Sequence, residues 1–189
     1  MKKNQKIALI AIILLVVIIA VYLLFFQAPS FEKEYERMSL AWKNNGLKEE
    51  RLHASETVFS LDSEKIEDIR SEISSFSSSP NPAIKDLSTT YLLFLESAKI
   101  ASEISSMSET LAGSQQGLCE SLPAYERLGK KFSELEEKKE AYLKATNAFV
   151  SKYPKEAESI SLKANTAGLQ GASSSKFVEL LEVAKEVCS

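Results

Sequence analysis

From Ile7 to Phe26 the chain reads IALIAIILLVVIIAVYLLFF, with no charge, amide, Pro or Gly. Twenty helical residues rise about 30 Å, the thickness of a bilayer's hydrocarbon core. A lone strand could not satisfy its backbone groups in lipid, so the run is expected to be a transmembrane helix despite its many β-branched residues. Lys2, Lys3 and Lys6 precede it, whereas Gln27, Ala28, Pro29 and Ser30 follow. Positive flanks stay on the cytoplasmic side. The expected topology is therefore a short cytoplasmic segment at 1–6, an anchor at 7–26 that sits in the lipid bilayer, and an extracytoplasmic domain at 30–189.

A cleaved secretory signal is the competing reading, but such signals have apolar cores of about 7–15 residues ending in small residues at the cut. This run is longer, and Phe26-Gln27-Ala28 places a bulky residue where a small one is needed. Cleavage would leave a secreted domain. A pilin-type leader fits less well, because Lys6 stands where Gly or Ala precedes the cut.

Charge narrows the partners. Without Lys2, Lys3 and Lys6, the 23 basic residues fall to 20 against 26 acidic ones, so the outer domain carries −6. Nucleic-acid binding needs clustered Lys and Arg to neutralise phosphates, and no such cluster exists. About 160 residues remain for one domain with a real core. Only 6 Gly and 5 Pro interrupt the chain, and apolar residues recur at helical spacing throughout. The expected fold is all-α, an antiparallel bundle of about five to seven helices.

Phe31, Tyr35, Met38 and Trp42 recur every three or four residues and share one helical face. Core is the usual fate of such a stripe, and a membrane-proximal interface or ligand platform is the functional alternative. Asn44-Asn45-Gly46 ends this helix. A less regular helical stretch follows from Leu47 with Leu52, Val58 and Phe59. Asp62 then caps a helix carrying Ile66, Ile69, Ile73 and Phe76, with Leu61 and Ile66 as a hydrophobic staple.

Asn81-Pro82 supplies a cap and a first-turn proline for the next helix. That helix runs from Ala83 to about Leu111 with two apolar stripes, one through Ile84, Leu87, Tyr91, Phe94, Ala98 and Ala101, the other through Leu93, Ile100, Ile104, Met107 and Leu111. Two stripes predict a central helix touched on two sides. Pro123 is expected to open a long helix through Tyr125, Leu128, Phe132, Leu135, Tyr142, Phe149 and Tyr153, with Glu134–Lys138 and Glu140–Lys144 as supporting pairs. Lys139 and Thr146 interrupt its seam, which favours packing within the chain over a coiled coil with a partner. Pro154 stops it. A shorter helix through Ala157, Ile160, Ala164 and Ala167 breaks at Gly168 and Gly171, and a last one from about Ser175 places Phe177, Leu180, Leu181, Ala184 and Cys188 on one face.

Ala148-Phe149 with Tyr153-Pro154-Lys155 resembles the end of a tetratricopeptide-type helix pair, but no 34-residue repeat accompanies it, and no family is assigned. His53 is the only histidine, so no multi-histidine metal site or HExxH helix can form, and a surface or half-buried role is expected for it. No phosphate loop, GxSxG elbow, CxxC or EF-hand loop occurs. Glu49-Glu50 and Glu136-Glu137 sit among lysines as solvated faces. No catalytic residue, cofactor or metal site is expected, and the chain reads as a non-enzyme acting by contact with another protein. A sensor or small-ligand bundle is the alternative, distinguished by a pocket with convergent polar groups.

Cys119 and Cys188 are the only cysteines. Glu120–Tyr153 and Pro154–Val187 are each 34 residues long, so a hairpin turning at Tyr153-Pro154 would bring the two cysteines together. The condition is that the Gly168–Ser175 break lets the last helix continue in the same direction. Otherwise the pair is a loop thiol and a small apolar core residue.

Overall fold

The structure, a computed structural model, describes residues 14–17, 29–46, 63–113, 117–162 and 174–189. The chain divides into two compact units, Met1–Ser30 and Phe31–Ser189. In the first, residues 14–17 form a helical turn with all four side chains exposed. The rest of the expected Ile7–Phe26 span lies outside the described residues. Among those described, no helix is long and apolar enough to cross a membrane.

The second unit is all-helical among its described residues. Helix α1 covers Phe31–Asn44, α2 Ser63–Ser74, α3 Pro82–Gly113, α4 Leu118–Lys152, α5 Pro154–Ser159 and α6 Ser174–Cys188, and a 3₁₀ turn at Ser75–Ser78 follows α2. The stretch expected from Leu47, the cap at Asp62 with its Leu61 staple, and His53 lie outside the described residues.

Helix α3 is the centre, as its two stripes require. Ile84, Leu87, Tyr91, Phe94, Ala98 and Ala101 are all buried, and Ile100 and Ile104 bury the second face. Its start is the expected cap: Asn81 Oδ1 accepts the backbone N–H groups of Ala83 at 3.0 Å and Ile84 at 3.4 Å. The cap is itself held, since Ser79 Oγ accepts the Asn81 N–H at 3.0 Å and donates to buried Glu34 of α1. A carboxylate is thus tolerated inside because a hydroxyl points at it.

On one side α2 runs antiparallel to α3 and buries Ile66, Ile69 and Ile73 completely. Lys99 of α3 pairs with Glu67 at 2.6 Å, and Glu96 with Arg70 at 3.6 Å. On the other side α4 also runs antiparallel to α3. Lys131 meets Glu103 at 2.7 Å, Lys138 meets Glu96 at 2.9 Å, and Lys152 meets Asp86 at 2.8 Å. Such exposed pairs fix register more than they stabilise. The expected Glu134–Lys138 support is therefore replaced. Lys138 reaches across to Glu96 of α3, and Glu134 pairs instead with Lys131 one turn earlier in its own helix at 3.0 Å.

Helix α4 begins at Leu118, five residues before Pro123, the expected start. Proline removes only one backbone donor. The Ser121 N–H already bonds to the Gly117 carbonyl at 3.1 Å, so the first turn exists without it. Leu128, Leu135, Tyr142 and Phe149 bury the expected seam. Thr146 stays in it by turning its hydroxyl to the Tyr142 carbonyl at 2.9 Å. Burial holds the Lys139 ammonium below the usual lysine range.

Pro154 ends α4 and opens α5, which stops at Ser159 rather than running to Ala167. Ser161 adopts φ 55°. Its N–H bonds to the Glu158 carbonyl at 3.0 Å, and Leu162 N–H to the Ala157 carbonyl at 2.9 Å. These two bonds make a Schellman stop, and Ala157 and Leu162 at its two ends are both buried in the core. The expected break at Gly168 and Gly171 lies outside the described residues.

Candidate contact surface

Helix α6 returns along the first half of α4. Phe177 packs against Phe132 with ring centroids 5.2 Å apart. Leu181 lies over Gly129, Lys185 reaches Glu126 at 3.5 Å, and Cys188 joins Cys119. Partner numbers fall on α4 as they rise on α6, so the two helices are antiparallel. Helices α4 and α6, on either side of Tyr153-Pro154, therefore lie antiparallel, and the expected meeting of Cys119 and Cys188 occurs. The cysteine Cα atoms are 5.3 Å apart and the sulfurs are bonded, leaving no free cysteine.

Two features mark this contact, Gly129 on α4 and Lys185 on α6. Gly129 is buried in mid-helix, and a Cβ there would stand 3.4 Å from both Leu181 Cδ2 and Phe177 Cε1. A glycine inside a helix sacrifices stability, and close packing of another element is its usual reason. Lys185 is the second: it pairs with Glu182 of its own helix at 2.8 Å as well as with Glu126. The Glu182 hydrogen bond and then the Glu126 carboxylate hold its ammonium above the usual lysine range.

Even so, α6 is only half covered. No described side chain of α6 is fully buried. Phe177, Leu181, Ala184 and Cys188 are half-buried, as their shared face requires. Leu180, expected on that inward face, is 69% exposed, and Val183 and Val187 beside it are 58% and 70% exposed. The physical reason is width. Apolar residues occupy nearly half the circumference of α6, whereas one neighbouring helix covers only part of that arc. Leu118 of α4 is half exposed next to the same strip.

Between the helices runs a shallow groove of about 160 Å³ lined by Leu118, Tyr125, Phe177, Leu180, Leu181 and Ala184. Its walls are apolar, with the Tyr125 hydroxyl as the one polar side-chain group. Exposed Glu179 and Glu186 border the apolar strip on α6.

The other sequence candidate resolves differently. Phe31, Met38 and Trp42 are buried, and half-buried Tyr35 packs against the same core. Trp42 meets Tyr91 edge-on at 5.3 Å and Phe94 at 6.4 Å. The stripe packs into the core, where α2 and α3 cover it. Among the described residues, no three His, Cys, Asp or Glu side chains are placed to hold a metal ion. Glu136 and Glu137 are exposed.

The surface on α6 was missed in sequence because Val183 and Val187 were not placed on any stripe. Their signal was present: with Leu180 they repeat at three and four. Gly129 also had a signal, as an isolated glycine among strong helix formers. Comparison with protein-family models, curated proteins and solved structures found no match.

Proposed function

We propose that this chain is a membrane-anchored, extracytoplasmic helical bundle that acts by contact with another protein through the α4–α6 face. One observation carries the reading: a row of exposed aliphatic side chains, Leu180, Val183 and Val187 with Leu118, on a helix pinned in place by a covalent bond. Rigid presentation lowers the ordering cost of association. Alternate three- and four-residue spacing suits an apolar helix face, and Glu179 and Glu186 favour a partner whose apolar face is flanked by Lys or Arg. An apolar groove of about 160 Å³ is smaller than small-molecule pockets, which span about 300–1,000 Å³ with several polar groups, so protein contact is favoured over ligand binding.

Support for the anchor is the unbroken apolar run Ile7–Phe26, the exposed helical turn at 14–17, and the division of Met1–Ser30 as a unit of its own. The disulfide supports the orientation, since such bonds persist in oxidising compartments.

The test is site-specific photocrosslinking of the full-length chain in intact membranes. A crosslinker at Val183 should give a discrete adduct that Leu180→Asp abolishes, and one at exposed Lys144 should not. Equal adducts at both positions, or none at Val183, would overturn the contact surface. Topology is tested separately with a membrane-impermeant thiol label, which should reach Glu137→Cys and miss Asn4→Cys. A mature chain lacking residues upstream of Ala28 would replace the anchored reading with a secreted one.

A further inference from the structure

We propose that the Cys119–Cys188 disulfide is a reducible clasp, opened by a dithiol reductant, that decides whether α6 lies on the bundle or swings free. The core is complete without α6. Among the described residues, its buried members come from α1 to α5 and Leu162, and α6 contributes only half-buried Phe177 to the cluster's edge. Among the described residues, what holds the helix is partial burial of Phe177, Leu181 and Ala184, one ion pair from Lys185 to α4, and the covalent bond at its end. Each non-covalent contact is solvent-facing on one side. A 15-residue helix is marginal when isolated in water, so undocking and fraying are expected to go together.

The bond is placed for exchange. Cys119 is exposed in the first turn of α4, and half-buried Cys188 is the last residue of α6. A thiolate of the dithiol attacks Cys119 Sγ, the Sγ–Sγ bond breaks, and Cys188 leaves as a thiolate that takes a proton. The reductant's second thiol then attacks the mixed disulfide and releases Cys119 as a thiol. Two electrons and two protons pass from the dithiol, which becomes a disulfide, to the cysteine pair. Opening would strip Phe177 from Phe132 and Leu181 from Gly129, baring the trough on α4 and freeing an apolar arm. This inference does not depend on the contact reading, because it concerns α6 and its own bundle.

Hydrogen exchange on the oxidised full-length chain, with and without dithiothreitol as the dithiol, tests it. On reduction, exchange across residues 177–188 should accelerate on the order of 100-fold, while α3 stays protected. Trp42, packed on Tyr91 and Phe94 of α3, should keep its emission. The Cys119→Ser, Cys188→Ser chain should match the reduced protein and ignore the reductant. Unchanged exchange in α6 would overturn the proposal, since non-covalent packing would then suffice. Loss of α3 protection or of the Trp42 signal together with α6 would also overturn it, making the bond a brace for the whole fold.

Discussion

Gly129 of α4 lies beneath Leu181 of α6, so close that a Cβ on the glycine would stand 3.4 Å from Leu181 Cδ2. That distance is ordinary van der Waals contact, and its neighbours are side chains on a half-exposed helix that can shift. Gly129→Ala should therefore gain most of the helix-propensity difference, about 0.5–1 kcal/mol, read as a higher urea midpoint. Gly129→Leu fills the space α6 uses. It should expose α6 to rapid hydrogen exchange while the Trp42 signal holds. A destabilising alanine would show that the contact tolerates no added methyl.

Met38 separates core from interface for the α1 stripe. It is fully buried, so Met38→Ala should cost about 2–5 kcal/mol in urea denaturation. A side chain held out for a partner would leave the stability of the isolated chain unchanged.

Asn81 accepts two first-turn N–H groups of α3, the helix on which the bundle is built. Asn81→Ala should cost about 1 kcal/mol, and Asn81→Asp should recover most of it, since a carboxylate also accepts and favours a helix N-terminus.

Ser161 occupies left-handed backbone at φ 55°, where a side chain is strained and glycine is not. Ser161→Gly should raise stability by about 0.5 kcal/mol, the relieved strain exceeding the extra freedom of the unfolded chain. Chemical denaturation should show it as a midpoint shift with unchanged slope.

Asp86 accepts from Lys152 Nζ at 2.8 Å and from the Tyr153 hydroxyl at 3.0 Å. The Lys152 hydrogen bond first, and the Tyr153 one after it, hold its carboxyl below the usual carboxylate range. A lower folded pKa means the contribution is present above the unfolded value and lost as pH falls through the folded one. The carboxylate is 41% exposed, so screening limits its worth to less than about 1 kcal/mol. Asp86→Asn should lower stability by that order at pH 7, and the gap should narrow below about pH 4. A gap constant from pH 7 to 3 would contradict the assignment.

Local signals carried most of the bundle. The three-four spacing of Ile66, Ile69 and Ile73, the two stripes of α3, the Asn81-Pro82 start and the Pro154 stop all reappear as helices, caps and buried faces. Each depends on backbone geometry and polarity within a few residues, which chain order records directly. The cysteine hairpin was conditional in sequence, because residue spacing places two helix ends together only if the intervening chain keeps its direction.

What needed three dimensions was coverage. Periodicity marks an apolar face but not whether a neighbour reaches it. Phe31, Met38 and Trp42 could have faced a partner, and they are core because α2 and α3 close over them. Leu180 could have been core, and it is exposed because a single helix cannot cover so wide an arc. Lys138 chose Glu96 over Glu134 for the same kind of reason: ion pairing follows through-space distance, which sequence spacing gives only within one helix. Where α5 ends was likewise decided by tertiary burial, Leu162 entering the core at the expense of a strained Ser161.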